Sequence, residues 1–354
     1  MSIFNKKFID PTPPYFGLDI SELSIKVLQM AHNKKYDYVY GFASETIASG
    51  LIDNGNIQNV DAVVNAIKRV RKKAGISTKN VICSLPESKA FLRIVTIPQM
   101  KEEEVAEAIK WEIEAAIPLS IDQVYYDWQV LDKRLTKDKR QIDVIIVAVS
   151  KEFINSYIYI LKKAGLIMYG FEIESVAQSN SLLRDNEKGV TTMIIDIGDR
   201  STSFVVTVDN IPVFTSSIPL SSELMTKSIE QTFGITYDEA EKIKMMYGIG
   251  SVLKNDHVFQ ATKSVVENFV TEAQKSIDFY LKSLTYSENV DRIIMCGGGA
   301  RMKGIAPYLS RRLGHNIELG DPWVNMNFKN SIPPINRDES LQYATVIGLA
   351  TKKI

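Results

Sequence analysis

Two hydrophobic patterns take turns along this chain from Phe16 onward. Short unbroken apolar runs predict strands, and stretches with apolar residues every three or four positions predict amphipathic helices. In the first half, strands are expected at Phe16–Ile20, Ile25–Met30 and around Tyr36–Ala43, then a helix at Val60–Ala74. That helix lines up Val60, Val63, Val64, Ile67 and Val70, gathers Lys and Arg in its last turn and is closed by Gly75. A strand at Val81–Leu85 is ended by Pro86. A compact segment follows: strand Phe91–Ile97, helix Glu102–Ala116, and strands Val124–Leu131 and Ile142–Val149. Three glutamates open its helix and Pro118 ends it. Asp132–Arg140 reads as a solvated, charged hairpin tip, and a helix at Glu152–Ala164 is closed by Gly165.

The second half predicts helices at Ser222–Phe233 and Tyr237–Tyr247, and a longer one at Ala261–Tyr286 with a stripe from Val266 to Leu284. Strand Arg292–Cys296 then runs into Gly297, Gly298 and Gly299, with a helix expected at Lys303–Leu313. Strands and helices alternate throughout, so the class is α/β. One pattern occurs twice. GLDISELSIKVLQM (Gly17–Met30) and MIIDIGDRSTSFVVTV (Met193–Val208) each join two apolar runs through Asp-Ile and a short loop. Asp19 and Asp196 lie 196 − 19 = 177 positions apart, half the 354 residues. Such a repeat implies two similar domains facing one another, able to clasp a phosphate chain and its metal.

The bulk numbers narrow the partners. Lys plus Arg and Asp plus Glu are both 42, so no net field draws the chain to nucleic acid or anionic lipid. At 45% hydrophobic and 24% charged the chain is ordinarily globular, long enough for two or more domains. Cys83 and Cys296 end apolar runs and read as buried free thiols of a reducing compartment. Met1–Tyr15, with Asp10 and three prolines, reads as a flexible lead-in rather than an export signal. No run reaches the roughly 18–20 apolar residues of a membrane helix, so a cytoplasmic protein is expected, with membrane contact through a partner. His32, His257 and His315 lack ligand partners at metal-binding spacing and read as structural or exposed.

Three glycines between a strand and a helix let a backbone approach a nucleotide, yet they also suit a plain tight turn. Neither the G-x-G-x-x-G spacing nor a Walker A loop is present. Taken with the two Asp turns, the chain resembles the actin-like ATPase superfamily. Within it, the chain is similar to the PilM family of type IV pilus assembly proteins, in the FtsA-like branch. The features that carry this, in order, are GLDISELSIKVLQM, FEIESVAQSNSL (Phe171–Leu182), the second Asp turn, YDEAEKIKMMYG (Tyr237–Gly248), the glycine turn and YATVIGLA (Tyr343–Ala350).

The resemblance implies two ribonuclease-H-like domains with a small FtsA/PilM-type insertion. Residues 16–85 plus 149–190 would form the first core, 86–148 the insertion, 191–218 plus 291–354 the second core, and 219–290 a helical insertion. It implies ATP or ADP with Mg²⁺ between the two cores. Asp19 and Asp196 would hold the metal, a hard cation that suits carboxylate oxygens. Ser21, Ser24 and Lys26 would meet phosphate from the first turn, and Gly198, Ser201 and Thr202 from the second. Glu174 would position the attacking water, Glu241 and Lys244 would contact ribose and adenine, and Gly297–Gly299 would cover the adenosine.

Both turns depart from the family's small residues: Glu22 and Leu23 interrupt the first, Asp199 and Arg200 the second. At about 4 Å, even a water-exposed like-charge pair costs roughly 1 kcal/mol, so weak or slow hydrolysis is expected. The chain stops at Ile354 without the basic amphipathic tail of FtsA, which favours PilM. The resemblance further implies a cytoplasmic scaffold, peripheral at the inner membrane, that takes the short cytoplasmic tail of a PilN-like protein. The tail would lie between the first core and the insertion, with Phe91–Ile97, Glu102–Ala116 and Val124–Leu131 as one wall. Other pilus components, including the assembly ATPases, and homo-oligomers are further expected partners. A nucleotide-gated filament former and an independent ATPase or kinase are the alternatives.

Overall fold

A computed structural model describes residues 13–32, 35–117, 119–131, 140–185, 187–249, 257–284, 286, 288–328 and 333–352. Most of the lead-in and of the hairpin tip at 132–140, and the side chain of His32, lie outside the described residues.

The first half opens with β1 (Tyr15–Ile20), β2 (Ser24–His32) and β3 (Asp37–Thr46), then the small pair β4 (Ile52–Asp53) and β5 (Asn56–Ile57). Helix α1 (Val60–Lys73) leads to β6 (Asn80–Leu85). Strand β7 (Ala90–Pro98), helix α2 (Glu102–Ala116), β8 (Val124–Val130) and β9 (Gln141–Ser150) follow, and α3 (Lys151–Lys163), β10 (Ile167–Ile173) and α4 (Glu174–Leu182) complete this half. The second half contains β11 (Thr191–Ile197), β12 (Thr202–Val208), β13 (Ile211–Ile218), α5 (Ser222–Phe233), α6 (Tyr237–Tyr247) and α7 (His257–Phe279). It ends with β14 (Arg292–Cys296), α8 (Ile305–Leu313), β15 (Ile317–Leu319), α9 (Arg337–Ser340) and α10 (Ala344–Ala350).

The sequence repeat is a structural repeat. One five-stranded sheet runs β10-β6-β1-β2-β3, the other β13-β12-β11-β14-β15. In each, an antiparallel three-strand meander is extended by two parallel strands, which need crossover connections. Asp19 pairs with Lys26 and Asp196 with Ser203, each seven positions on (26 − 19 and 203 − 196). Residues 21–23 and 198–201 are the corresponding loops. Each sheet has its own apolar core, around Phe16, Val63 and Tyr157 in the first half and Phe204, Phe269 and Ile293 in the second. A third sheet, β7-β9-β8, packs Val95, Val144 and Ile146 against Val105, Ile109 and Ile113 of α2. Helix α10 returns from the far end of the chain to lie across α4, β1 and β2.

Several boundaries differ from expectation. The third strand is shifted to Asp37–Thr46 because it pairs with β2 along its whole length. Helix α7 begins at His257, where Val258 and Thr262 are already buried, and its last turn, Tyr280–Leu284, widens to a π-helix. The glycine turn opens into a short 3₁₀ turn, Gly299–Arg301, and α8 starts only at Ile305. Gly304 sets that delay: φ is +79°, and a Cβ there would overlap the Ile249 carbonyl oxygen. Both cysteines are free and buried, and burial pushes both thiols well up.

Candidate functional site

The two Asp turns face each other across a cavity of about 920 Å³. Asp19, Ser21, Ser24, Lys26, Glu174, Asp196, Gly198, Ser201, Gly297 and Gly298 all line it. Thr202, Glu241, Lys244 and Gly299 do not. Thr202 is buried and donates to the Leu220 carbonyl at 2.7 Å. Lys244 is buried behind the cavity, where Nζ reaches Ser222 Oγ at 2.7 Å, Thr226 Oγ1 at 2.8 Å and Glu241 Oε2 at 2.7 Å. Gly299 packs on the Ile197 side chain. From that helix pair Glu223 of α5 and Tyr237 of α6 reach the cavity, the Tyr237 phenol pushed up to about 12 chiefly by burial.

The first turn is tied by its own serines. Ser21 Oγ lies 2.9 Å from both the carbonyl and the Oγ of Ser24, and Lys26 Nζ donates to Ser24 Oγ at 2.9 Å. Behind it Ser84 Oγ donates to Asp19 Oδ1 at 2.9 Å, with Lys26 Nζ 3.7 Å from Asp19 Oδ2. Opposite, Gln178 Nε2 donates to Asp196 Oδ2 at 2.6 Å and to Thr345 Oγ1 at 3.1 Å. Burial first, and then the Asp19 charge, push the Asp196 carboxyl up to about 6. Glu174 is raised well above its usual value by burial and by the Asp19 and Asp196 charges. Gly297, at φ +85°, passes so close that a Cβ would overlap Asp196 Oδ1.

Carboxyl groups raised by burial and by a neighbouring acid, as Asp196 and Glu174 are, suit a cation, which would relieve the repulsion. Among the described residues no group of three or more His, Cys, Asp or Glu side chains is set to hold a metal directly. Asp19 and Asp196, one carboxylate from each turn on the same cavity, are oxygen donors of the kind a hydrated divalent ion takes. Gln178 Oε1 and Arg200 Nε, both buried, lack hydrogen-bond partners, and of the two residues Arg200 lines the cavity. The residues present fit a metal–polyphosphate.

The sequence reading missed Gln178, Glu87, Glu223 and Tyr237. Gln178 had a signal, four positions after Glu174 on the same helix. Glu87 had none. It is buried after Pro86 and exchanges hydrogen bonds with α4: the Glu87 N–H donates to Glu174 Oε2 and the Ser175 N–H to Glu87 Oε2, both at 3.2 Å.

A second cavity, about 1080 Å³ and largely apolar, lies on the other side of that linkage. Leu85, Ile173 and Val176 face it, whereas Pro86, Glu87 and Glu174 face the acidic one. Its remaining walls are β8 and β9, Ile154 and Ile158 of α3, Met168 and Phe171 of β10, and Thr351 with Lys352. Helix α2 and strand β7, expected to contribute, do not line it, because α2 covers the opposite face of the small sheet. Among the described residues strands β8 and β10 are both edges of their sheets, and both line the groove.

Comparison with known proteins gives a consistent picture. A family model described as "Type IV pilus assembly protein PilM" matches residues 17–354. The cell division protein FtsA of Enterococcus hirae is 24% identical, the match covering 91% of this chain and 81% of that one. FtsA of Bacillus subtilis is 21% identical over 95% of this chain and 82% of its own length. Among solved structures, a PilM–PilN type IV pilus biogenesis complex superposes with a TM-score of 0.82 at 24% identity, covering 96% of this chain and 98% of that one. MreB5 of Spiroplasma citri bound to ADP has a TM-score of 0.57 at 13% identity, covering 95% of each chain. The fold is thus the actin-like ATPase fold. No described helix is long and apolar enough to cross a membrane.

Proposed function

The chain belongs to the PilM family of type IV pilus assembly proteins, and on that premise we propose that it is an actin-like scaffold of the inner-membrane pilus complex. It sits at the cytoplasmic face and holds the short cytoplasmic tail of a PilN-like membrane protein in the apolar groove. The observation that carries this reading is the groove itself: large, apolar, flanked by two sheet edges and walled off from the acidic cavity. Such a surface takes an extended peptide by strand addition or by apolar anchors. Neighbouring pilus components and further copies of the chain can then assemble on the outside.

The acidic cavity holds ATP or ADP with Mg²⁺. Asp19 and Asp196 take the hydrated metal, Ser21, Ser24, Lys26, Gly198 and Ser201 face the phosphates, and Gly297 and Gly298 lie against the nucleoside. The metal, when bound, neutralises phosphate charge. Glu174, held by the Glu87 N–H, is the group placed to orient a water. With Glu22 and Asp199 on the phosphate turns, hydrolysis is slow and nucleotide acts as a structural ligand. In this reading residues 16–85 with 149–190 and 191–218 with 291–354 are the two cores, and 86–148 and 219–290 are the insertions.

Fluorescence anisotropy with a labelled synthetic tail of the PilN-like protein tests the scaffold role. Saturable binding at micromolar protein, roughly −8 kcal/mol, is expected. A flat titration rules the role out.

A further inference from the structure

Arg200 stands on the second phosphate turn but does not stay there. Its Nη1 lies 2.8 Å from Glu223 Oε2 at the start of α5, and its Nε lies 3.8 Å from Glu22 Oε2 on the first turn. Nη2 donates to Ser49 Oγ, in the loop after β3. One side chain therefore joins both halves at the acidic cavity, whose wall it shares with Glu22, Ser49 and Glu223. The guanidinium is not saturated, because Nε is buried and makes no hydrogen bond. Lys26, the other cation on the wall, is already committed to Ser24 and Asp19. Asp199 is exposed. The conflict between acid and phosphate thus concentrates on Glu22, and Arg200 is the group that mediates it.

We propose that Arg200 is a specificity-determining latch that exchanges Glu22 for the terminal phosphate of a nucleoside triphosphate. This rests on the nucleotide reading given above. A phosphate presents the planar fork of an arginine with two acceptors and up to two charges, a better partner than one carboxylate at 3.8 Å. A diphosphate lacks the group that reaches between the two turns, so it leaves the Arg200–Glu22 pair in place. Glu223 keeps its own contact and anchors the guanidinium during the exchange. Through this one cation the chain tells a triphosphate from a diphosphate, and it gives up one of its two ties to the first half, the Ser49 hydrogen bond being the other, only when the triphosphate is present.

Isothermal titration of the full chain with Mg-ATP and with Mg-ADP tests the latch, using wild type, Arg200→Ala and Glu22→Gln. A charge-assisted hydrogen bond is worth about 1.5–3 kcal/mol, so Arg200→Ala is expected to weaken Mg-ATP by roughly 10- to 100-fold while Mg-ADP moves less than about 3-fold. Glu22→Gln removes the competing acceptor and is expected to tighten Mg-ATP alone. Should Arg200→Ala not fold in a thermal melt, Glu22→Gln decides by itself. Equal weakening of both nucleotides by Arg200→Ala, or no tightening by Glu22→Gln, overturns the latch and leaves nucleotide binding intact. A wild-type chain that binds neither nucleotide overturns both.

Discussion

Glu87 and Glu174 bring two carboxylates together at the buried wall between the cavities, each accepting a backbone N–H from the other's segment. Burial raises the Glu87 carboxyl above its ordinary value, opposed by hydrogen bonds from Thr215 and Ser175. The unfolded chain therefore ionises this group at lower pH than the folded one. Its charge opposes folding above the folded value, and that opposition fades as the pH falls toward the unfolded value. Its Oε1 also has no hydrogen-bond partner. Glu87→Gln keeps an acceptor for the Ser175 N–H and is expected to be more stable than wild type by about 1 kcal/mol at pH 8. The gap should close by about pH 4 in thermal melts; a gap independent of pH contradicts the assignment. At this scale the sequence revealed Asp19 and Asp196 because each acid ends an apolar run in a repeated frame. It concealed Glu87, which between Pro86 and Ser88 reads as an ordinary surface turn. Lys244, for which the family resemblance implied ligand contact, is buried with its side chain turned to Ser222 and Thr226.

Helices α4 and α10 show why some elements were illegible. Helix α4 buries Ser175, Ala177, Gln178, Ser179, Ser181 and Leu182, so its buried side is mostly polar and carries no apolar stripe. Ser179 Oγ donates to the Ser175 carbonyl at 2.7 Å and Ser181 Oγ to the Gln178 carbonyl at 3.2 Å, whereas Ser175 Oγ has no hydrogen-bond partner. Helix α10 is buried all round, and Gly348 lets it approach α4 until a Cβ would overlap the Ala177 carbonyl oxygen. Gly348→Ala is therefore expected to cost at least 1–3 kcal/mol, read as a drop in urea midpoint, because neither backbone can give way. Gly298→Ala is the contrast. Gly298 has helical φ and ψ, and only Asp199 Oδ1 lies near its Cβ direction, at 3.7 Å. Folding stability should stay within about 0.5 kcal/mol of wild type there. Amphipathic helices such as α1 and α3 were easily read, since their apolar stripes face one core each.

Across the whole molecule, one wall separates the acidic cavity from the apolar groove, and the proposed function gives each its own task. The halves meet at the acidic cavity, so a ligand bridging both turns should bind the folded chain and raise its melting temperature. Mg-ATP at about 100 times its dissociation constant should add roughly 2.7 kcal/mol. No shift at any nucleotide concentration would separate this chain from nucleotide-binding actin-like proteins. Ile158→Glu places a charge in the apolar groove at a partly exposed position and is expected to weaken the tail peptide by at least about 10-fold, the scale of 1.4 kcal/mol. Mg-ATP affinity should be unchanged. The repeat was visible in the sequence because each copy is a local hairpin. The groove was only half visible, since its walls come from β8, β9, α3, β10 and the end of the chain, which only the folded topology brings together.

Hydrogen exchange of the full chain with and without the PilN-like tail peptide addresses that groove most directly. Slower exchange is expected along Val124–Val130 and Ile167–Ile173, the two edge strands, and around Ile154 and Ile158. Protection confined to α5, α6 and α7, or none at saturating peptide, would contradict the assignment of the groove.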